Sequence, residues 1–564
     1  MRSRVLLAAS MAAALSMPAG SAVAGGPLEA RLRTSAFTDM PVTAGSSAPS
    51  MLRGMRQLQR GTLPEGTVLV GDETPAPLAT GAAQTLQVLD VDGDGTQELV
   101  QVRGLVTAPK LALTDGATGA LRWSRSLSSY AFALRLVPDG AGNDDLLVFV
   151  SGTVQRIDAA TGTQLWSRSL PSGDYIGYWG VSPSPDGGDL VVGAWTFPYP
   201  QVVRLQLEFR SLATGTTRGT RTIDGEGDYP SAALAGDLNG DAVGDVFTLA
   251  PLYSFSAYAG GMLEAVGSRG ASVIWSAPVA VPVSDFAWLV DGSDVTGDGT
   301  GDAVVFSEWL GADGATPTED VVTIVDGDGG TTAGLDPVGS FTLQGFPSVL
   351  ETPGDLNGDG GKDLVFSGAV YSPGEGAVKV LFEAIGRGGA IWTSGPGYPT
   401  PISDLGYAWW PLGGDLDGDG VEDALVLLGT GSGPDLAVGV SKRTGAALWQ
   451  RESLGGTWMV PVFADLTGDG GDDAASVDAY HPDASTTRFD LAALDGRDLA
   501  PLWSHVRVLD SGANGWSFNV DGGRFGPGTT EDLALELNMQ GGARHFSEVL
   551  RGTDGVPRWT DPTT

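Results

Sequence analysis

Six short loops in this sequence carry oxygen-bearing residues at alternating positions among glycines. They cover residues 90–98, 237–245, 294–302, 355–363, 415–423 and 465–473. Calcium is a hard cation that takes about six to eight oxygen ligands, and alternate residues of a tight loop can face one centre. Positions one, three, five and nine would supply side-chain oxygens, and position seven a backbone carbonyl. The predicted metal ligands are Asp90, Asp92, Asp94, Thr96, Glu98, Asp237, Asn239, Asp241, Val243, Asp245, Asp294, Thr296, Asp298, Thr300, Asp302, Asp355, Asn357, Asp359, Gly361, Asp363, Asp415, Asp417, Asp419, Val421, Asp423, Asp465, Thr467, Asp469, Gly471 and Asp473.

The residue types at position three favour a metal-coordination shell over a pair of catalytic acids. It is Asp, Asn or Thr among the six loops, so an oxygen is kept and the charge is not. A coordination shell accepts that exchange, whereas paired catalytic carboxylates would not. Asp–Gly turns that merely close hairpins would share the glycines but do not need acids at alternating positions. The acid at position nine is followed directly by apolar strand residues, unlike the EF-hand, which closes with Glu at position twelve. We therefore expect about six bound Ca²⁺ ions.

The loops belong to a longer repeat. Three further copies have lost acids at ligand positions, and we call them worn loops. One lies around Asp139 to Asp145, with Val137 and Ala141 at its first and fifth positions, and the other two keep only Asp189 and Asp532 at the ninth position. With the six intact loops they give nine units. The second half of many units repeats a Gly turn followed by a strand with Trp, as in Gly119 to Trp123. Four short strands fit each unit, and such units bury their faces by stacking in a ring. The predicted fold is all-β, a single β-propeller of four-stranded blades, with eight or nine blades.

Composition excludes several functional classes. The 564 residues carry a formal charge of −36 and contain no cysteine. Nucleic acid and anionic membrane surfaces attract clustered Lys and Arg, so neither is an expected partner. Without cysteine there is no disulfide, no cysteine-based zinc site and no thiol nucleophile. Calcium could then stabilise the fold in place of the disulfides of many secreted proteins.

The N-terminus reads as a secretory signal. Arg2 and Arg4 precede a short apolar run, and Ala22-Val23-Ala24 provides a cleavage site of small residues. We expect a signal peptide over 1–24 with cleavage near Ala24, a linker over 25–62 and the propeller over 63–564. No later stretch is long and apolar enough for a membrane span, so a secreted protein is expected.

These units resemble FG-GAP/VCBS repeats, the family of the integrin α-subunit propeller and of many secreted bacterial proteins. The resemblance rests on the six loops and covers most of the chain after residue 63. It implies that each loop joins two strands of a blade and binds Ca²⁺ at positions one, three, five, seven and nine. The segments from Thr-Gly to Trp also resemble quinoprotein repeats. The resemblance does not imply their quinone cofactor, because that cofactor usually stacks on a vicinal disulfide and this chain has no cysteine.

Function is less constrained than fold. An aromatic series precedes the loops and could stack on sugars or grip a protein, although large aromatics more often wedge into cores. One hypothesis is a non-catalytic extracellular binding or adhesion module for a protein or glycan, acting as a monomer. The alternative is a polysaccharide-acting hydrolase or lyase, and a purely structural surface component is a third. No motif places His481, His505 or His545 beside a nucleophile. The candidate ligand-binding residues are Trp179, Trp195, Tyr229, Trp288, Tyr407, Trp409, Trp458 and Trp516.

Overall fold

The chain folds into nine antiparallel sheets. A computed structural model describes residues 68–69 and, with gaps of at most eleven residues outside the strands, residues 86–561. Each sheet takes four strands that are consecutive in the chain and paired in chain order, which we call blades 1 to 9. The sheet of blade 3 has a fifth strand, β1 (Val68–Leu69), which pairs with β10. In the part of the chain that the structure describes, no helix is long and apolar enough to cross a membrane.

The first three blades occupy residues 86–226. Blade 1 contains β2 (Leu86–Leu89), β3 (Glu98–Arg103), β4 (Lys110–Thr114) and β5 (Leu121–Ser126). Blade 2 contains β6 (Ala131–Pro138), β7 (Asp144–Val150), β8 (Thr153–Asp158) and β9 (Gln164–Ser169). Blade 3 contains β10 (Tyr175–Ser182), β11 (Asp189–Tyr199), β12 (Val202–Ser211) and β13 (Thr217–Glu226).

The next three blades occupy residues 231–393. Blade 4 contains β14 (Ser231–Leu234), β15 (Val246–Ser254), β16 (Ala257–Gly267) and β17 (Ser272–Val279). Blade 5 contains β18 (Phe286–Asp291), β19 (Ala303–Leu310), β20 (Pro317–Val325) and β21 (Phe341–Leu343). Blade 6 contains β22 (Phe346–Gly354), β23 (Asp363–Ser372), β24 (Ala377–Gly386) and β25 (Gly389–Thr393).

The last three blades occupy residues 405–561. Blade 7 contains β26 (Leu405–Leu412), β27 (Ala424–Thr430), β28 (Leu436–Val440) and β29 (Ala447–Glu452). Blade 8 contains β30 (Val462–Ala464), β31 (Asp473–Asp483), β32 (Thr486–Leu494) and β33 (Pro501–Asp510). Blade 9 contains β34 (Trp516–Gly523), β35 (Asp532–Met539), β36 (His545–Leu550) and β37 (Pro557–Asp561). The nine sequence units are thus nine sheets.

The core lies between the blades. The second and third strands are largely buried, as in β36, where all six residues are buried, because each sheet is covered on both faces. Val100 and Leu113 of blade 1 pack in one cluster with Leu146 and Val148 of blade 2. The fourth strands are more exposed, as the pattern of β5 shows. Burial between neighbours is what a single blade lacks, so the blades stabilise one another.

In most blades a tryptophan on the fourth strand forms a hydrogen bond to the next blade. Its indole N–H donates to a backbone carbonyl in the neighbouring hairpin turn, for example from Trp123 to Ala159 O at 2.8 Å. Two junctions use other contacts: Arg221 pairs with Glu264 between blades 3 and 4, and Lys362 N donates to Asp294 O between blades 5 and 6. The other donors are Trp166, Trp275, Trp392, Trp449, Trp503 and Trp559.

The ninth blade meets the first through the same contacts. Trp559 Nε1 donates to Gly116 O at 2.6 Å, the bond seen between consecutive blades. Gln97 N donates to Arg524 O at 2.8 Å, as Glu531 N donates to Asp465 O between blades 9 and 8. Two repeated contacts are therefore present where the series returns to its start. The architecture is a β-propeller, which confirms the predicted fold class.

Alanine at Gly162 is expected to destabilise the protein far more than alanine at Gly152. Both glycines lie in blade 2 with φ of +71°, so the left-handed backbone penalty is shared. A Cβ at Gly162 would stand 2.7 Å from Trp123 Cδ2, whereas at Gly152 nothing lies within 4 Å. Overpacking of this kind costs about 1–3 kcal/mol. Paired chemical denaturation measures the difference; equal losses would contradict a tight Trp–Gly contact.

Candidate metal centres

The six acidic loops join the first and second strands of blade 1 and of blades 4 to 8. The acid at position nine stands at or just before the start of the second strand and is almost fully buried: the six are 0–3% exposed. The earlier acids of the loops are exposed or half-buried, with Asp298 and Asp359 facing solvent. Each loop therefore holds one buried carboxylate beneath a more accessible set.

Position one organises the loop. In blade 5, Asp294 Oδ1 accepts hydrogen bonds from Gly297 N at 2.6 Å and Asp298 N at 3.1 Å, and its Oδ2 accepts one from Gly299 N at 2.9 Å. Blades 6 and 8 repeat this pattern at Asp355 and Asp465. These bonds curl the loop around its first acid.

Position nine ties the loop to the hairpin turn between the third and fourth strands. In blade 5, Asp302 Oδ2 accepts from Val295 N and Thr296 N, both at 2.8 Å. Its Oδ1 accepts from Gly327 N at 3.2 Å in the turn. Equivalent turn bonds reach Asp245, Asp423 and Asp473. The loops and the Gly turns therefore lie on the same face of the propeller.

Burial makes these carboxylates costly to ionise. Burial is the main cause that raises the pKa of Asp245, Asp302, Asp363 and Asp473 to about 6. Burial likewise raises the pKa of Asp423 to about 7, with Asp417 adding repulsion. Backbone hydrogen bonds act in the opposite direction in each case. A nearby cation would favour the charged form, so these sites suit one.

The chemistry of the donors fits a hard divalent cation. Carboxylate oxygens of Asp90, Asp92 and Glu98 lie within 4.8 Å of one another, as do those of Asp415, Asp417 and Asp419. All side-chain donors in the six loops are oxygens, which is the ligand type calcium and magnesium prefer. In blades 1 and 7 the structure thus brings together three of the acids that the sequence grouped.

The worn loops contain a feature that sequence analysis missed. In each of them an arginine is paired with the surviving ninth acid. Arg156 Nε lies 2.7 Å from Asp145 Oδ2, Arg218 Nε lies 3.1 Å from Asp189 Oδ1, and Arg558 Nε lies 2.6 Å from Asp532 Oδ2. The buried acid has therefore kept a cationic partner where the other acids of the loop are gone. Arg218 and Arg558 share a column with Arg122, the residue three after the turn glycine, and that alignment could have revealed the pairing.

Of the candidate ligand-binding aromatics, Trp195 is the one whose side chain lies in the described part of the chain. Trp195 lies on β11, is 4% exposed and donates from its indole to Pro230 O at 3.0 Å. It is a core residue, so a place in a ligand-binding surface is not supported. Five others belong to the first strands of their blades, and their side chains lie outside the described part: Trp179, Trp288, Tyr407, Trp409 and Trp516. Tyr229 and Trp458 lie outside the described residues altogether.

Two of the three histidines belong to a polar seam rather than to a catalytic pair. His505 Nε2 lies 3.1 Å from Glu548 Oε1, and Arg507 also pairs with Glu548 and covers the Phe546 ring at 5.2 Å. Although burial alone would raise the pKa of Glu548, hydrogen bonds from these two side chains lower it. Burial holds the pKa of His545 well below its usual range. His505, Arg507 and Glu548 join blade 8 to blade 9, whereas His545 lies within blade 9, 3.8 Å from Glu536.

Comparison with known proteins gives only distant likenesses. No family model and no curated protein matches the chain. The solved structure of BBS1N in complex with ARL6DN, soaked with lead, is 13% identical with a TM-score of 0.30, over 69% of this chain and 98% of that one. The Dos1 propeller is 13% identical with a TM-score of 0.33, over 74% and 89%. The quinohemoprotein alcohol dehydrogenase from Comamonas testosteroni is 12% identical with a TM-score of 0.31, over 94% and 81%. Likenesses at this level carry no inference about function.

Proposed function

We propose that this protein is a secreted, calcium-stabilised propeller that acts as a non-catalytic extracellular binding module. The observation that carries the metal part is the set of buried ninth acids. In blades 4 to 8 their described surroundings are backbone N–H groups, one threonine hydroxyl in each of blades 5 and 8, the Asn357 amide in blade 6, and other carboxylates. Buried charges are stable only when they are paired or coordinate a metal. A bound cation would supply the missing positive charge.

Calcium is the proposed ion because of the number and type of donors. Each loop would offer side-chain oxygens at positions one, three, five and nine and the carbonyl of position seven, as in Asp415, Asp417, Asp419, Val421 and Asp423. Such oxygen-rich, flexible sets suit calcium better than magnesium, which demands a tight octahedron and keeps its water. The resemblance of the loops to FG-GAP/VCBS repeats supports the same ion.

An extracellular location is proposed from two features of the sequence. The first is the N-terminal pattern of Arg2 and Arg4, an apolar run and a small-residue cleavage site ending at Ala24. The second is the need for calcium at the concentrations found outside cells, which would keep extracellular modules loaded. The absence of cysteine is compatible with this location if the ions stabilise the fold instead.

A binding role is proposed because the fold offers a rigid scaffold with many loops. Nine packed blades present their connecting segments around one ring, and binding residues are usually found on loops held by such a framework. The first strands carry Trp and Tyr residues, which suit sugar rings and protein surfaces. The ligand class proposed is an extracellular protein or polysaccharide.

The test uses the purified mature chain on arrays of polysaccharides and extracellular proteins, with millimolar Ca²⁺ and with EGTA. Calcium-dependent retention of one ligand, with no change in that ligand, would support a binding module. Release of new reducing ends or of unsaturated sugars from a retained polysaccharide would contradict a non-catalytic role and favour a hydrolase or lyase. Bound metal, quantified in parallel, tests the calcium sites separately from the ligand.

A further inference from the structure

Four successive blades carry their own cation at the ninth acid. Blade 9 pairs Asp532 with Arg558, blade 2 pairs Asp145 with Arg156, and blade 3 pairs Asp189 with Arg218. Blade 1 does the same although its acidic loop is intact: Arg122 Nη2 lies 2.8 Å from Glu98 Oε1. Because blade 9 contacts blade 1, these four blades form one continuous arc of the ring.

Four blades of the opposite arc carry another residue at the corresponding place, and the sequence of blade 5 contains no arginine between residues 286 and 343. Arg122, Arg218 and Arg558 each directly precede the Trp column of the fourth strand, where blade 3 has Gly219 instead of Trp. In blades 4, 6, 7 and 8 that position is apolar, being Ile274, Ile391, Leu448 and Leu502. Blade 2 has Leu165 there and uses Arg156 from its third strand instead. Two separate positions have therefore supplied a guanidinium to the same buried acid.

Two other arginines pair with a different position of the acidic loops. Arg443 lies 2.7 Å from Asp419, and Arg497 lies 2.7 Å from Asp469, and both acids are at position five. Those pairs are on the solvent side of the loop, with Arg497 half exposed. They leave Asp423 and Asp473 without a guanidinium in the described structure, so they do not replace a buried cation.

Blade 1 is the decisive case. Arg122 Nη1 lies 2.7 Å from Asp92 Oδ2, and its Nη2 also lies 2.8 Å from Asp115 Oδ2 in the hairpin turn. One guanidinium thus links position three, position nine and the turn, and positions three and nine are proposed metal ligands in the other intact loops. An ion bound through Asp92 and Glu98 would compete with this side chain for the same oxygens.

We propose that an internal guanidinium takes the place of a divalent cation in blades 9, 1, 2 and 3, so that metal binding is confined to blades 4 to 8. The proposal rests on the calcium sites proposed above and corrects their number from six to five. The contact between the first and last blades then does not depend on metal. Loss of calcium loosens one arc of the ring while the other arc, which holds both ends of the described chain, stays packed.

The experiment counts ions in the mature chain and in Arg122→Leu by native mass spectrometry after exchange into a Ca²⁺ buffer. Leucine is the residue that blades 7 and 8 carry at this place. We expect five ions in the unchanged protein and six in the variant, whose blade 1 keeps all four acids. Arg558→Leu is the control: its loop has lost the other acids, so the count should stay at five.

Hydrogen exchange followed by mass spectrometry, with and without EGTA, gives a second readout. Chelation should lower the protection of the loops in blades 4 to 8 and leave those of blades 9, 1, 2 and 3 unchanged. Six ions in the unchanged protein, or no gain in Arg122→Leu, would overturn this inference while leaving the calcium sites intact. No bound ion in either protein would sink the calcium sites and this inference together.

Discussion

In excess EGTA the thermal unfolding midpoint of the mature chain is expected to fall by roughly ten degrees or more. A ligand that binds only the native state stabilises it by about 4 kcal/mol per site when its free concentration is 1,000 times its dissociation constant. Several proposed sites would act together, and removing their ions would leave buried acids such as Asp423 facing another carboxylate. Calorimetry in millimolar Ca²⁺ and in EGTA measures the shift.

A matched pair of variants separates metal binding from general damage. Asp302→Asn removes the ninth acid of blade 5 and should lower the count of bound ions by one. Asp189→Asn removes the ninth acid of blade 3, which faces Arg218, and should leave the count unchanged. If the thermal unfolding midpoint is the same in Ca²⁺ and in EGTA, and the unchanged protein binds no metal, then the acidic loops are turns rather than metal sites.

Arg156→Leu is expected to destabilise the protein by about 3–5 kcal/mol, because it breaks a buried ion pair by removing one partner. The side chains of Arg156 and Asp145 are each only 7% exposed, and Arg156 Nη1 also donates to Leu212 O at 2.9 Å in the next blade. The loss should be the same with Ca²⁺ and with EGTA. Denaturant titration under both conditions measures it, and Asp145→Asn in the same chain should recover part of it.

Arg204→Leu is the control for burial. Arg204 Nε lies 2.6 Å from Asp224 Oδ1, as close as the buried pair, but the two side chains are 42% and 50% exposed. Water screens such pairs, so little change in stability is expected. If both arginine variants lose the same stability, then burial does not set the strength of these pairs. If Arg156→Leu loses more stability than Arg204→Leu in EGTA but not in Ca²⁺, then blade 2 binds metal.

Much of the fold was predictable because the repeat is explicit. The loop spacing fixed the number of units, the run of apolar residues after Glu98 or Asp363 indicated a buried strand, and the turn glycine before Trp123 or Trp449 indicated the last hairpin. The ring itself follows from blades that cannot bury both faces alone. What stayed open was the choice between eight and nine blades, which the contact of Trp559 with Gly116 decides in favour of nine.

The charge partners of the buried acids were not predictable by motif. Asp145 and Arg156 are 11 residues apart on neighbouring strands, and no spacing rule links them. Their pairing depends on the register of β7 and β8 and on the burial of the acid. Trp195 was predicted to bind ligand because it is aromatic, and the sequence did not show that it lies on a buried strand. In fact β11 extends through Tyr199 and turns the indole into the core.

The order in which the ring assembles follows from its construction. Each four-stranded unit is one continuous stretch of chain, and the tryptophan bonds between consecutive units span only 36 to 52 residues. The bond that joins the last unit to the first spans 443 residues. Loop-closure entropy grows with that separation, so nearest neighbours can dock as the chain emerges while the final junction waits for the whole polypeptide. Arg103 of blade 1 also lies at that junction, 3.3 Å from Asp561 of blade 9. Side chains such as Trp559 and Arg103 thus act in the last step of folding rather than in its nucleation.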